Sequence, residues 1–163
     1  MNNLPPRLAR PDMSEQQAFA AFVGGWQLDL WTTFRADGTS VHPFGRDAIG
    51  QIMYSADGHM NCHLMRAARP LFDSSNIYEV TDEQLGKSLR AYTGYFGRFT
   101  IDAAAGIITH HVTGAWHPNW AGTDQPRRYA FDGDRLFLEA EAGDDLVRIA
   151  WRRIVTDTAG RLA

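Results

Sequence analysis

Two histidines stand side by side, His110 and His111, in the run Ile107-Ile108-Thr109-His110-His111-Val112-Thr113-Gly114. An imidazole titrates near neutrality, so either one is a candidate general acid or base. The run has the β-branched character of a strand, in which neighbouring side chains point to opposite faces. Only one of the pair can therefore face an interior, and the two cannot jointly chelate a metal from a regular strand. His111 shares a face with Ile107, Thr109 and Thr113, and His110 shares the more apolar face with Ile108 and Val112. Neither pattern by itself decides which face is inward. A second set, His59, Asn61 and His63, recurs at period two. Zinc ordinarily takes three or four protein ligands, and no Cys-x-x-Cys, His-Glu-x-x-His or carboxylate cluster completes this set, so no metal is expected.

Tyr54, Tyr92, Tyr95, Arg66 and Arg98 supply further polar tips. A tyrosine combines an apolar ring with one hydroxyl able to orient a ligand. Arg127 and Arg128 must also diverge on a strand; whichever points inward would favour a carboxylate- or enolate-bearing ligand. The segment Trp116 to Gln125, with Trp116, Asn119 and Trp120, reads either as a plug in a barrel mouth or as a ligand contact. Cys62 stands alone, which rules out an internal disulfide, and reads as a small buried apolar residue. There is no Gly-x-Ser-x-Gly elbow, P-loop or dinucleotide fingerprint, which argues against hydrolase, kinase and dehydrogenase chemistry.

The elements that must position these groups are marked by turns. Asp-Gly pairs at 37–38, 57–58 and 132–133 tolerate the positive φ of tight hairpins, and Ala105-Gly106 and Ala142-Gly143-Asp144-Asp145 add two more breaks. Between them lie eight predicted strands: 26–34, 48–55, 59–66, 95–101, 106–114, 126–131, 135–141 and 146–155. In the first, Trp26, Leu28, Leu30, Thr32 and Phe34 share one face. Residues 40–47, with Pro43, read as a loop. Ser14-x-x-Gln17 and Thr81-x-x-Gln84 are capping-box signatures. They predict a short helix burying Phe19, Phe22 and Val23, and a second one after the third strand carrying the stripe Leu85, Leu89, Tyr92. The fold class that follows is mainly β, an eight-stranded antiparallel up-and-down barrel with a short N-terminal helix and one inserted helix. Eight strands close around an interior wide enough for side chains or one small ligand. Residues 1–12 read as a flexible N-terminal arm, 13–157 as a single barrel domain and 158–163 as a C-terminal tail.

The 163 residues suit one domain, and their net charge of −3 without a basic stripe argues against nucleic acid. The first residues lack the apolar core of a secretory signal, and no run approaches the roughly 20 apolar residues of a membrane helix, so a cytoplasmic address without membrane partners is expected.

With these elements placed, Gly24-Gly25-Trp26 resembles the Gly-x-Trp that opens the first strand of lipocalins, within the calycin superfamily. That resemblance implies a Trp closing one barrel end, packed under an Arg of the last strand; Arg148, Arg152 and Arg153 are the candidates. Further stretches are similar to the small bacterial and fungal lipocalin-like domain proteins: Val41-His42-Pro43-Phe44-Gly45, Tyr54 through Met60, Leu64-Met65-Arg66 with Arg69-Pro70, Tyr92 through Gly97, Thr109 through Val112, and Pro118-Asn119-Trp120 with Gly122 through Gln125. The likeness covers about residues 22 to 155. It implies the barrel and little chemistry, since that family has no single established reaction. Asn61-Cys62-His63 departs from what relatives would carry. Haem binding through a lone His, as in barrels of the nitrobindin type, would rest on the barrel and that His alone.

The expected function is binding of a small hydrophobic or aromatic metabolite in the cavity, with cofactor-independent acid/base chemistry of isomerase, cyclase or hydratase type. The alternative is a non-catalytic carrier or sensor of a lipophilic molecule. His111, His63, Tyr54 and Tyr95 are the expected catalytic residues. Trp31, Phe34, Tyr92 and Trp120 are expected to line the ligand, with Met53, His110, Asn119 and Arg128. No cofactor is expected, and a homodimer is left open.

Overall fold

The computed structural model describes residues 4–155 of the chain. The expected C-terminal tail at 158–163 and the first three residues of the expected arm lie outside the described residues. The N-terminal helix is α1, Glu15–Phe22. Ser14 accepts from the Gln17 amide while the Gln17 side chain accepts from the Ser14 amide, so two otherwise orphaned donors are satisfied locally. The chain then enters β1, Gly24–Phe34, and folds back through a two-residue strand, β2, Ser40–Val41, within the segment expected to be loop. An antiparallel meander follows: β3 Ile49–Tyr54, β4 His59–Met65, β5 Tyr92–Asp102, β6 Ile107–Ala115, β7 Asp124–Asp132, β8 Arg135–Ala142 and β9 Asp145–Arg153. β9 pairs with β1 from Trp26↔Arg153 to Phe34↔Leu146, closing an eight-stranded antiparallel barrel from which β2 hangs as an appendage. The glycines of all three Asp-Gly turns have positive φ, +89°, +84° and +58°, as hairpins of this length demand.

Two bulges set which side chains face inward. In β1, Leu28 pairs with Trp151 and Leu30 with Ala150, so Asp29 is an extra residue. Its carboxylate binds Arg135 of β8. The bulge shifts the strand's phase. Trp26 and Leu28 are buried on the inner face as expected, but beyond the bulge Trp31 turns to the interior, and the uniform face predicted through Phe34 is broken. In β6, Thr113 is the extra residue, between Val112↔Gly97 and Gly114↔Phe96. The backbone there comes so close that a Cβ on Gly97 would lie 2.0 Å from the His111 carbonyl oxygen.

One end of the barrel is shut. Phe22 of α1 is fully buried and meets Tyr54, Tyr129 and Phe131 edge-on at 5.0–5.1 Å. Trp26 lies beneath the Arg153 guanidinium at 4.0 Å, and Arg153 also donates to the Ala21 and Val23 carbonyls at the helix end. Arg153 is thus the last-strand arginine that packs on this Trp. The arm before α1 crosses the outside of the barrel. Arg148 donates to the Pro6 carbonyl at 2.7 Å, and Arg7 pairs with Glu139 and Glu141. The other end carries the longer loops, including the second helix α2, Asp82–Arg90, which starts on the Thr81/Gln84 capping box. α2 buries none of its residues, and Tyr92 belongs to β5, so the expected apolar stripe is not covered. No helix among the described residues is long and apolar enough to cross a membrane.

Candidate functional site

The inner face carries one polar layer, built from three strands. Tyr54 closes β3, Tyr95 lies early in β5, and His110 sits in the middle of β6. The Tyr54 hydroxyl is 2.9 Å from His110 Nε2 and the Tyr95 hydroxyl 2.9 Å from His110 Nδ1. His110 is fully buried, and Tyr54 and Tyr95 nearly so. Burial acts on all three in the direction that keeps them neutral: it lowers His110 well below its usual value and raises both tyrosines. Burial also pushes the Cys62 thiol, beside Tyr95, up to about 12. A neutral imidazole carries one N–H, so one tyrosine donates to His110 and the other accepts from it. Tyr54 touches the helix that shuts the barrel, whereas Tyr95 faces the opposite, open side. The three groups thus form a hydrogen-bonded chain from the floor of the barrel to the wall of its cavity.

That cavity has a volume of about 660 Å³. Its walls are apolar at Ile52, Leu64, Leu138 and Ile149, with Cys62 and Tyr95 toward the polar layer. Arg127, half-buried on β7, joins the wall with its guanidinium 5.8 Å from the Tyr95 ring centre. It donates to both the backbone carbonyl and the side-chain oxygen of Gln125, each at 2.9 Å. Among the described residues it has no carboxylate partner within salt-bridge range. The indole N–H groups of Trp31 and Trp151, both in the cavity wall, have no acceptor in the protein.

Two loops shape the mouth. Trp120 lines the cavity, stands edge-on to Tyr95 at 6.1 Å and stacks on His117 at 5.6 Å. His42 Nδ1 lies 3.0 Å from the Trp31 carbonyl, and Phe44 packs edge-on against the Trp31 ring at 5.0 Å. Arg66 holds that loop by donating to the Pro43 carbonyl at 2.8 Å.

Of the residues singled out in the sequence, Tyr54, Tyr95 and His110 are brought together, and Trp31, Trp120 and Arg128 contribute to the cavity wall. The others are not in the lumen. His111 points outward, with Nδ1 2.6 Å from Asp124 and Nε2 2.8 Å from Thr100. His63 is exposed and lies 2.6 Å from the Tyr92 hydroxyl on the outer face, in space left open by Gly94. Met53 is an exposed outer-face residue, Phe34 lies under the Arg148 guanidinium, and Asn119 is exposed. Arg128 reaches the cavity only as an exposed residue at its edge, whereas Arg127 is turned inward. The inward member of each pair lies on the more apolar face, Arg127 with Tyr129 and Phe131 and His110 with Ile108 and Val112, a pattern that did not by itself decide the direction. Cys62 and Trp151 as wall residues, and Glu139, carried no such signal. Glu139 lies at the outer edge of the cavity wall, buried beneath the arm and bound by Arg148 at 2.6 Å. No group of three or more His, Cys, Asp or Glu suited to a metal ion occurs among the described residues.

A family model described as a lipocalin-like domain matches residues 23–154. The 4'-hydroxy-3'-methoxypropiophenone carrier protein ppsC of Aspergillus oryzae is 34% identical over 85 residues, spanning 48% of this chain and 77% of that protein. A lipocalin-like protein from Bacteroides uniformis, known from its crystal structure, is similar over 81% of this chain and 97% of its own, at 14% identity and a TM-score of 0.43. Since the matched segment runs from the end of α1 through the closing strand, the chain belongs to the lipocalin-like domain family.

Proposed function

We propose that the barrel binds an aromatic small molecule in its lumen, with the ring against the apolar wall and an oxygen at the Tyr95 hydroxyl. The observation that carries this is the cavity of about 660 Å³, in which an apolar wall of Ile52, Leu64, Leu138 and Ile149 meets Tyr95 and Arg127, with further charged residues such as Arg7, Asp124 and Glu141 also in its lining. A site of that size and composition takes a ligand of substituted-aryl dimensions, and its few polar groups fix the orientation. The Aspergillus relative is named as the carrier of an aryl ketone, a molecule that combines a ring with phenolic and carbonyl oxygens. Binding is tested by titrating 4'-hydroxy-3'-methoxypropiophenone while following tryptophan fluorescence, because Trp31, Trp120 and Trp151 all line the cavity. Saturable quenching that weakens in Tyr95→Phe is the expected result. No saturable change, or equal affinity in Tyr95→Phe, would refute it.

A second reading, acid/base turnover, is favoured by the Tyr54–His110–Tyr95 chain. If Tyr54 donates to His110, the imidazole N–H serves Tyr95, and the Tyr95 proton is free to polarise a ligand carbonyl. In the opposite arrangement Tyr95 donates to His110 and its oxygen is free to accept a ligand hydroxyl. The two differ in the imidazole tautomer and in the rotation of both hydroxyls, with all three groups neutral in each. When the Tyr95 proton polarises the carbonyl of a bound aryl ketone, exchange of its α-hydrogens through the enol would be accelerated, solvent water taking up the α-proton and returning a deuteron from deuterium oxide. Proton NMR in deuterium oxide separates the readings: loss of the α-methylene signal above the buffer rate, abolished in Tyr95→Phe, marks an enzyme, and binding without exchange marks a carrier.

A further inference from the structure

We infer that the lumen takes its ligand as an oxyanion, held between the Arg127 guanidinium and the Tyr95 hydroxyl. This rests on the proposed lumenal binding and specifies the chemical class of the ligand. The first observation is an unbalanced charge. Arg127 faces the cavity, and no carboxylate among the described residues lies within salt-bridge range of it. The acidic residues that reach the cavity wall are engaged elsewhere: Asp124 with His111, Glu139 with Arg148 and Arg7, and Glu141 with Arg7. A half-buried cation without a counter-ion is costly, and an anionic ligand offsets that cost.

The second observation is the sign of the unpaired hydrogen-bonding capacity. Trp31 and Trp151 bury donor-only indole N–H groups within the wall without acceptors, whereas the unpaired carboxylate oxygen Glu139 Oε1 has the Arg7 guanidinium 3.5 Å away. Arg127 is likewise donor-only, with its Gln125 contacts occupying part of its fork. Toward Tyr95 the free capacity is therefore that of the remaining Arg127 donors, and what completes them is an acceptor group. The third is position. The Arg127 guanidinium sits against the Tyr95 ring, and its field bears on Tyr54, Tyr95, Cys62 and His110 alike. An oxygen anion beside Tyr95 is the place where that field is compensated. A phenolate, an enolate or a carboxylate on an aryl-sized body shares this chemistry.

The test uses three probes of similar size: 4-nitrophenol, 4-nitroanisole and benzoate. Nitrophenolate absorbs in the visible, so its ionisation while bound is read directly by titrating the complex with pH. In the wild-type protein the bound phenol is expected to ionise about one pH unit or more below the free phenol, a tenfold preference for the anion. That shift is expected to vanish in Arg127→Gln and to survive in part in Arg127→Lys, which keeps the charge and shows that loss in the Gln variant is not loss of fold. Benzoate displacing nitrophenolate in the wild type but not in Arg127→Gln extends the class to carboxylates; failure to displace narrows it to phenolates and enolates. Uptake of 4-nitroanisole with no preference for either anion overturns this inference while leaving lumenal binding intact. A preference that is unchanged in Arg127→Gln also overturns it. If none of the three probes binds, lumenal binding of aryl molecules falls and the inference falls with it.

Discussion

His110 is a buried imidazole held neutral, and that makes the fold acid-sensitive in a defined window. Burial lowers its folded-state pKa well below the ordinary 6.5, and the charges of Arg127 and His111 act in the same direction. The unfolded chain has no such constraint and takes up a proton as pH falls through 6.5. A depressed folded pKa means that the unfolded state binds more protons below that point, so the contribution is intact above 6.5 and is lost as pH falls. At pH 5 protonation favours the unfolded imidazole about thirtyfold, which sets the limit reached when the buried imidazole takes up no proton. The loss between pH 7 and pH 5 from this residue alone is therefore at most about 2 kcal/mol. The comparison is with His110→Gln, which keeps an amide donor and acceptor for the two tyrosines but cannot titrate. Urea unfolding followed by tryptophan fluorescence at several pH values measures both proteins. The variant is expected to be less stable at pH 7 and to have a pH profile flatter by up to about 2 kcal/mol. Asp37, Asp57 and Glu79 are lowered carboxylates whose contributions fade as pH approaches their ordinary values of 3.8 and 4.5, and they are common to both proteins. Parallel profiles for wild type and variant would show that His110 is not kept neutral by its surroundings, and the site chemistry built on it would fall.

Tyr54→Phe removes only a hydroxyl but leaves His110 Nε2 buried without its partner, and is expected to cost about 1–3 kcal/mol in the same unfolding assay. Gly97→Ala drives a Cβ to 2.0 Å from the His111 carbonyl and 2.9 Å from the Thr113 amide; forcing backbone apart at the bulge should cost about 3 kcal/mol or more, seen as a large fall in the urea midpoint. Gly86→Ala, within α2 where nothing lies within 4 Å of the new methyl, should instead stabilise by about 0.5–1 kcal/mol. Arg153→Met removes the cation over Trp26 and two charge-assisted bonds to the end of α1, and a loss of about 2–3 kcal/mol is expected, with faster hydrogen exchange in 15–23 as the local signature.

The sequence by itself determined the frame. The two helices were legible because each starts on a capping box formed within four residues, and the hairpins because Asp-Gly pairs meet a φ requirement within the turn. These are local interactions, complete before the chain closes on itself. Alternation also settled that His110 and His111, or Arg127 and Arg128, could not act as pairs. What alternation left open was which of each pair faces inward, because a strand's phase is fixed by its neighbours across the sheet. The extra residues Asp29 and Thr113 each shift that phase, and a bulge is a property of register between two strands, here between β1 and β9 and between β5 and β6. Hence Trp31, expected among the ligand contacts, lines the cavity although unbroken alternation from Trp26 would put it on the opposite face. His63 found Tyr92 on the outside because Gly94 lies between them across β4 and β5. The Tyr54–His110–Tyr95 chain joins residues 15 and 56 positions apart, and the unpaired charge of Arg127 is visible only once every carboxylate at the cavity wall has been matched to another cation. Turns and caps are written residue by residue, whereas the contents of the barrel depend on closure, which brings strands distant in sequence to one wall.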